Sequence, residues 1–178
     1  SHMKLRQPVA LVTGASSGIG KATAERLAMA GYKVYGTSRR AATPGGHPFE
    51  MLSLDVISDE SVEAAVNALL RSEGRIDLLV NNAGFSVAPA GAEESSIEQA
   101  RAIFDTHFFG IVRMTRAVVP HMRRHGGGRV INIGSVLGFL PAPYMALYAA
   151  TKHALAGYYE SLDHELRTRG IRVSDIEP

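Results

Sequence analysis

The chain has 178 residues, 46% of them hydrophobic, and a formal net charge of +2. That suits one sizeable core; no apolar run reaches the roughly eighteen residues of a membrane span, and no basic tract is denser than Arg39-Arg40 or Arg123-Arg124, so neither a membrane nor a nucleic acid is expected as partner. Cysteine is absent, which excludes disulfides, thiol catalysis and cysteine-ligated zinc and fits a cytoplasmic protein.

Ser1-His2-Met3 reads as a cloning remnant and no secretory signal is visible, leaving one domain over residues 4–178. Val9–Val12 is a short apolar run of the kind a buried parallel strand needs. A glycine-rich turn follows, then a helix over Ile19–Ala30 that Gly31 stops. Lys33–Thr37 and Glu50–Leu54 read as strands, with Ala41–Pro48 a surface loop between them. Ser58 is placed to cap a helix over Asp59–Ser72, whose first turn is acidic as the helix dipole favours. Then come a strand over Ile76–Asn81, a long helix over Ile97–Arg124, a strand over Arg129–Ile133, a helix over Leu147–Arg169 and a strand over Arg172–Ile176. Gly74, Gly126 and Gly170 fall where helices should stop. Strand and helix alternate throughout, so the expected fold is a doubly wound α/β sandwich: a parallel Rossmann-type sheet with helices on both faces and right-handed crossovers.

The first strand, the turn Thr13-Gly14-Ala15-Ser16-Ser17-Gly18-Ile19-Gly20 and the helix after it have the form of a phosphate cradle. Glycines let backbone approach a pyrophosphate, and the helix start offers amide donors and the positive end of a dipole. The spacing is G-x-x-x-G-x-G, not G-x-G-x-x-G; a tight turn without a ligand is the plainer alternative. The end of the second strand bears on which dinucleotide would bind. A carboxylate there would serve the ribose 2′-hydroxyl of NAD, yet Lys33 to Phe49 contains no Asp or Glu. Ser38, Arg39 and Arg40 stand there instead. Ser38 and the fork of Arg39 suit a 2′-phosphate, which favours NADP(H) and leaves NAD(H) as the alternative. Asn82, Ala83 and Gly84 follow an apolar strand at its carboxyl end, where ligands sit in open α/β sheets.

Further along, Tyr148 and Lys152 are four apart, and therefore on one face of a helix, with Ser135 thirteen positions before the tyrosine. An ammonium beside a phenol favours the phenolate, so a tyrosine tuned in this way passes a proton to or from a substrate oxygen that Ser135 could hold.

Taken together, Thr13–Gly20, Leu54-Asp55-Val56, Asn81-Asn82-Ala83-Gly84, Ser135, Tyr148-x-x-x-Lys152 and Ile176-Glu177-Pro178 appear in the order found in the short-chain dehydrogenase/reductase family, and the chain resembles that family over nearly its whole length. The resemblance implies an NAD(P)-dependent oxidoreductase interconverting a carbonyl and an alcohol. It implies that Asp55 and Val56 flank the adenine, although Asp55 could simply cap the next turn. It also implies that Pro178 lies at the cofactor and that Lys152 bonds the nicotinamide ribose. The two long helices would form a symmetric contact, giving a homodimer or homotetramer.

Two positions depart from the family. Its catalytic asparagine, in a phrase like F-D-x-N-x-x-G, is replaced in Phe104-Asp105-Thr106-His107-Phe108-Phe109-Gly110. His107 is either a filler in the same helical bend or part of a rebuilt proton relay. The other histidines have no metal-ligand spacing, so no metal is expected. The family's sheet continues beyond the equivalent of Pro178, so the C-terminal part of the fold is expected to be missing. The apolar stretch of Leu137, Phe139, Leu140, Pro141, Pro143, Tyr144, Met145 and Leu147, with Phe85 and Val87, suits a lipophilic ketone, aldehyde or alcohol. A steroid- or retinoid-like compound is the expected substrate, with a 3-oxoacyl chain as the alternative. A nucleotide-binding sensor or scaffold without turnover is the alternative of a different class.

Overall fold

The structure, a computed structural model, describes residues 6–40, 47–82, 96–134 and 142–176, with the backbone alone described at 142–145. The elements run β1 (Val9–Val12), α1 (Gly18–Met29), β2 (Lys33–Ser38), β3 (Glu50–Ser53), α2 (Asp59–Glu73), β4 (Leu78–Asn82), α3 (Ile97–Phe104), a π-turn (Asp105–Phe109), α4 (Gly110–Arg124), β5 (Gly128–Ile133), α5 (Ala142–Leu166) with a closing 3-10 turn (Arg167–Arg169), and β6 (Ile171–Ile176). The six strands form one sheet in the order β3-β2-β1-β4-β5-β6, every pair parallel. This is the doubly wound Rossmann-type arrangement expected from the alternation of elements. From β1 the chain winds outward to β2 and β3, then returns to β4 and winds the other way. The carboxyl ends of β1 and β4 therefore flank the topological switch point, where open α/β sheets place their ligands.

Period-two alternation explains why β1 sits in the middle. Val9 and Leu11 point into a core shared with Val62, Val66 and Leu69 of α2 and Met114, Val118 and Met122 of α4. Ala10 and Val12 point the other way, toward Ala15, Ala24 of α1 and Val34. All four β1 residues are buried, as a strand covered on both faces requires. Helices α2, α4 and α5 share the first face; among the described residues, α1 is the only helix on the second. Beyond α1 that second face carries an apolar groove of about 270 Å³, walled by Ile19, Thr23 and Leu27 on one side and by Leu78, Val80, Ile131, Ile133 and Ile176 of β4, β5 and β6.

Helix ends follow the sequence signals closely. The Ser58 hydroxyl accepts from the amide of Ser61 at 3.2 Å, and Gly74 closes α2 in the left-handed region at φ 81°. Beyond shifts of a single residue, the main departures from expectation are three. The single helix expected over Ile97–Arg124 is interrupted at Asp105–Phe109, where the Gly110 amide donates to the Asp105 carbonyl, five residues back. Strand β4 starts at Leu78 and not at Ile76, because Asp77 is used as a clasp: its carboxylate accepts from the Val9 amide at 2.8 Å and pairs with Arg6 and Arg75. Helix α5 starts at Ala142, before the expected Leu147. At its far end the Asp163 carboxylate accepts from the Val173 amide at 2.7 Å and from Arg167 and Arg172, fastening α5 to β6. Of the expected loop Ala41–Pro48, residues 41–46 lie outside the described residues.

Candidate active site

The glycine turn is held by bonds from two strands, β2 and β4. At its start the Thr13 amide donates to the Val80 carbonyl at 3.0 Å, and the Ala15 amide to the Thr37 carbonyl at 2.9 Å. The Thr13 hydroxyl accepts from the Asn82 amide at 3.0 Å, while the Asn82 side-chain amide donates to the Gly14 carbonyl at 3.2 Å. Gly14 and Gly18 have φ of 61° and 58°, a region open to glycine at little cost. Gly20 is required for a different reason: a Cβ there would lie 2.1 Å from the Gly14 carbonyl oxygen and 2.5 Å from Asn82 Nδ2. The result is a cradle of bare backbone. Ser16, Ser17, Gly18 and Ile19 are exposed on it, and Ser17 provides no side-chain cap to α1. Its position at the switch point, its uncapped amides and a wall too close for any side chain fit the pyrophosphate of a dinucleotide.

Around the cradle the expected residues take distinct places. Ser38 ends β2 and its hydroxyl accepts from the Arg40 amide at 3.3 Å. Arg39 is exposed beside it and makes no ion pair among the described residues. The Asp55 carboxylate accepts from the Ile57 amide at 3.2 Å, so it does cap the following turn. Val56 packs on Gly110, where a Cβ would come within 2.8 Å of its side chain. Asn82 supports the glycine turn directly, a role its sequence position did not reveal. Ser135, Ala83, Gly84 and Pro178 lie outside the described residues, as do Phe85, Val87, Leu137, Phe139, Leu140 and Pro141.

Tyr148 sits in the second turn of α5 and is buried, at 4% exposure. Lys152 follows one turn later and is half-buried. Between them the Thr151 hydroxyl donates to the Tyr148 carbonyl at 2.7 Å. His107, in the π-turn, lies against the Tyr148 ring with centroids 4.8 Å apart and planes at 62°. The structure thus brings His107 of the π-turn against Tyr148 of α5, with Lys152 one helical turn further on. Burial pushes the His107 imidazole down from 6.5 to about 4, so it is neutral at physiological pH.

Two features escaped the sequence reading. Arg113 of α4 donates to the carbonyls of Val56 and Asp105 at 3.1 and 3.2 Å and pairs with the carboxylates of Asp59 and Asp105. One guanidinium thereby joins the end of β3, the start of α2 and the π-turn. Asn81 donates to Asn132 across β4 and β5 at 3.0 Å, a buried pair beneath the site. Only the second had a usable signal, since two asparagines in otherwise apolar strands need partners.

A family model for short chain dehydrogenases matches residues 8–178. The chain belongs to that family. It is 40% identical over 174 residues to a 3-ketodihydrosphingosine reductase of Bacteroides thetaiotaomicron, a match covering 98% of this chain and 64% of that protein. Among solved structures, a short-chain dehydrogenase from Streptomyces avermitilis superposes with a TM-score of 0.84 at 42% identity, covering 98% of this chain and 66% of that one. A 3-ketoacyl-(acyl-carrier-protein) reductase from Brucella melitensis, complexed with NADH, superposes with a TM-score of 0.84 at 34% identity, covering 96% and 75%. The chain therefore spans about two thirds of the length of the first two relatives.

The buried imidazole has a consequence for stability. His107 in the folded state titrates near 4, against 6.5 when unfolded. Its contribution is whole above the unfolded value and is lost progressively as pH falls toward the folded one, because the unfolded chain takes up the proton first. The full loss is roughly 3 kcal/mol. Urea midpoints measured down this range should fall more steeply for the wild type than for His107→Asn; parallel curves would contradict it.

Proposed function

We propose that this protein interconverts a carbonyl and an alcohol with NADP(H), with Tyr148 as the proton-transferring residue. The observation that carries this is the buried Tyr148, one helical turn from Lys152, at the carboxyl edge of the sheet that also presents the glycine cradle. When bound, the dinucleotide supplies or accepts a hydride at the carbon of the substrate. The chain's part is position and proton transfer. The backbone of Gly14 to Gly20 would hold the pyrophosphate, with Asp55 and Val56 along the adenine and Ala83, Gly84 and Pro178 along the remainder. Tyr148 donates its phenolic proton to the carbonyl oxygen in reduction and takes it back in oxidation. Lys152 offers its positive charge to the phenolate and a donor to the ribose, and Ser135 holds the substrate oxygen.

Substrate class follows from the apolar residues between Ser135 and Tyr148 and from the relatives. Two of these are named for 3-keto groups, one on a long-chain amino alcohol and one on an acyl chain. That supports a lipophilic 3-oxo chain beside the steroid- or retinoid-like carbonyl. Tyr148→Phe should lower turnover of a 3-oxo substrate at least about a hundredfold while leaving cofactor affinity unchanged. Retention of more than a tenth of the wild-type rate would remove Tyr148 from this role.

The proposed preference for NADP(H) rests on Arg39, exposed at the end of β2 and without an ion pair among the described residues, with Ser38 beside it. A guanidinium bound to a 2′-phosphate makes charge-assisted bonds that a 2′-hydroxyl cannot match. Arg39→Asp should reverse the preference, since it replaces attraction by repulsion and supplies a carboxylate for the hydroxyl. Equal affinities of the wild type for NADPH and NADH in a fluorescence titration would defeat the idea.

The outer side of α4 and α5 is our candidate for a symmetric homodimer contact, alone or within a homotetramer. Phe108 meets Phe104, Phe109 and Tyr158 edge to face, and Phe109 remains 48% exposed. Phe109→Asp should shift the mass in solution toward the monomer by light scattering; a wild type that is already monomeric at all concentrations would count against the contact.

A further inference from the structure

The site contains one aromatic contact that neither a proton relay nor an inert filler accounts for. His107 is 5% exposed and Tyr148 is 4% exposed, and their rings meet edge to face at 4.8 Å. This is the preferred arrangement for two aromatic rings, the positive edge of one meeting the negative face of the other. The neighbouring Phe108, one residue on, faces Tyr158 instead. The aim of His107 is therefore specific to its place in the π-turn.

That place is held from several sides. The Gly110 amide bonds to the Asp105 carbonyl, which sets the wide turn. The same carbonyl and the Asp105 carboxylate are held by Arg113, which is itself tied to Val56 and Asp59. Close packing of Val56 on Gly110 blocks the turn from behind. The imidazole thus stands on a frame anchored in two other elements. Burial keeps it uncharged, so it meets the phenol as a flat neutral ring. The second torsion of a tyrosine turns the ring plane, in which its O–H bond prefers to lie, and a wall against the ring limits that torsion.

We propose that His107 is a positioning residue whose ring, fixed by the π-turn, sets the plane of the Tyr148 ring and so the line along which its hydroxyl meets the substrate oxygen. This rests on the reading of Tyr148 as the proton-transferring group.

The test compares the intact wild type with His107→Phe, which keeps a flat ring and removes both nitrogens, and His107→Asn, which keeps a polar group and removes the ring. Turnover, cofactor affinity and thermal midpoint are measured for each. NMR of ring-labelled tyrosine follows the Tyr148 signals, assigned by their loss in Tyr148→Phe. In His107→Phe the rate should stay near wild type and the ring signals should remain those of an ordered ring. In His107→Asn the rate should fall about tenfold or more at unchanged cofactor affinity, and the Tyr148 ring signals should average by flipping. Wild-type rate and ring order in His107→Asn would overturn the proposal. So would an equal loss of rate in both variants with the Tyr148 ring still ordered, which would give the role to the imidazole nitrogens. If phenylalanine proves too large for the fold, the asparagine variant alone still decides by its rate and ring order. If the wild type turns over no carbonyl or alcohol, the reading of Tyr148 fails, and the ring signals still tell whether His107 orders it.

Discussion

At the carboxyl end of β1, two stretches of backbone and one asparagine side chain meet more closely than a Cβ allows. Gly20 of α1 lies against the Gly14 carbonyl, and the Asn82 side chain at the end of β4 bonds to that same oxygen. The contact fixes the start of α1 relative to β1 and β4, and with it the crevice at the switch point. Its position is forced by topology, since β1 and β4 are neighbours only because the winding reverses between them. Its closeness is forced by chemistry, since only a residue without Cβ fits. The neighbouring elements inherit their placement from it: β4 leads on to Ala83 and Gly84, and the paired strands β4 and β5 bring Asn81 and Asn132 together beneath the site.

A second centre lies about the Arg113 guanidinium. It collects the carbonyl of Val56, the carbonyl and carboxylate of Asp105 and the carboxylate of Asp59. Residues proposed to flank the adenine and a residue that touches Tyr148 thus share one support. The two ends of the proposed site are linked through side chains of α4, although neither end contains α4 itself.

How much of this was legible depends on the range of the interactions. The strands and the glycine turn were readable because apolar runs, glycines and capping residues act within a few positions. The parallel, doubly wound architecture followed from the alternation of elements and the rule of right-handed crossovers, whereas the order of the strands came only with the structure. Tyr148 and Lys152 were readable because a spacing of four is itself a helical geometry. The π-turn was not, because its apolar residues continue the helical pattern on either side and no residue type marks an i to i+5 bond. Arg113 was invisible as a support because its partners Val56 and Asp59 lie more than fifty positions away. The dual nature of Asp55 was foreseen as a choice, and its cap on Ile57 is one of the two options. His107 was recognised as a departure, but its contact with Tyr148 required the relative placement of two helices.

The π-turn also makes this stretch unequal in the changes it can accept. The wide turn accommodates one residue more than an α-helix would use. Losing any one residue between Asp105 and Phe109 would let the helix close into a continuous α form, turning everything after it by about 100° and drawing it in by about 1.5 Å. Met114, Val118 and Met122 would leave the sheet and Arg113 would leave Val56. The number of residues in this segment is fixed by the turn, even where a histidine stands in place of the family asparagine. Descent within such a family should therefore record almost no deletions here, the length of the segment being inherited as strictly as any side chain that works in it.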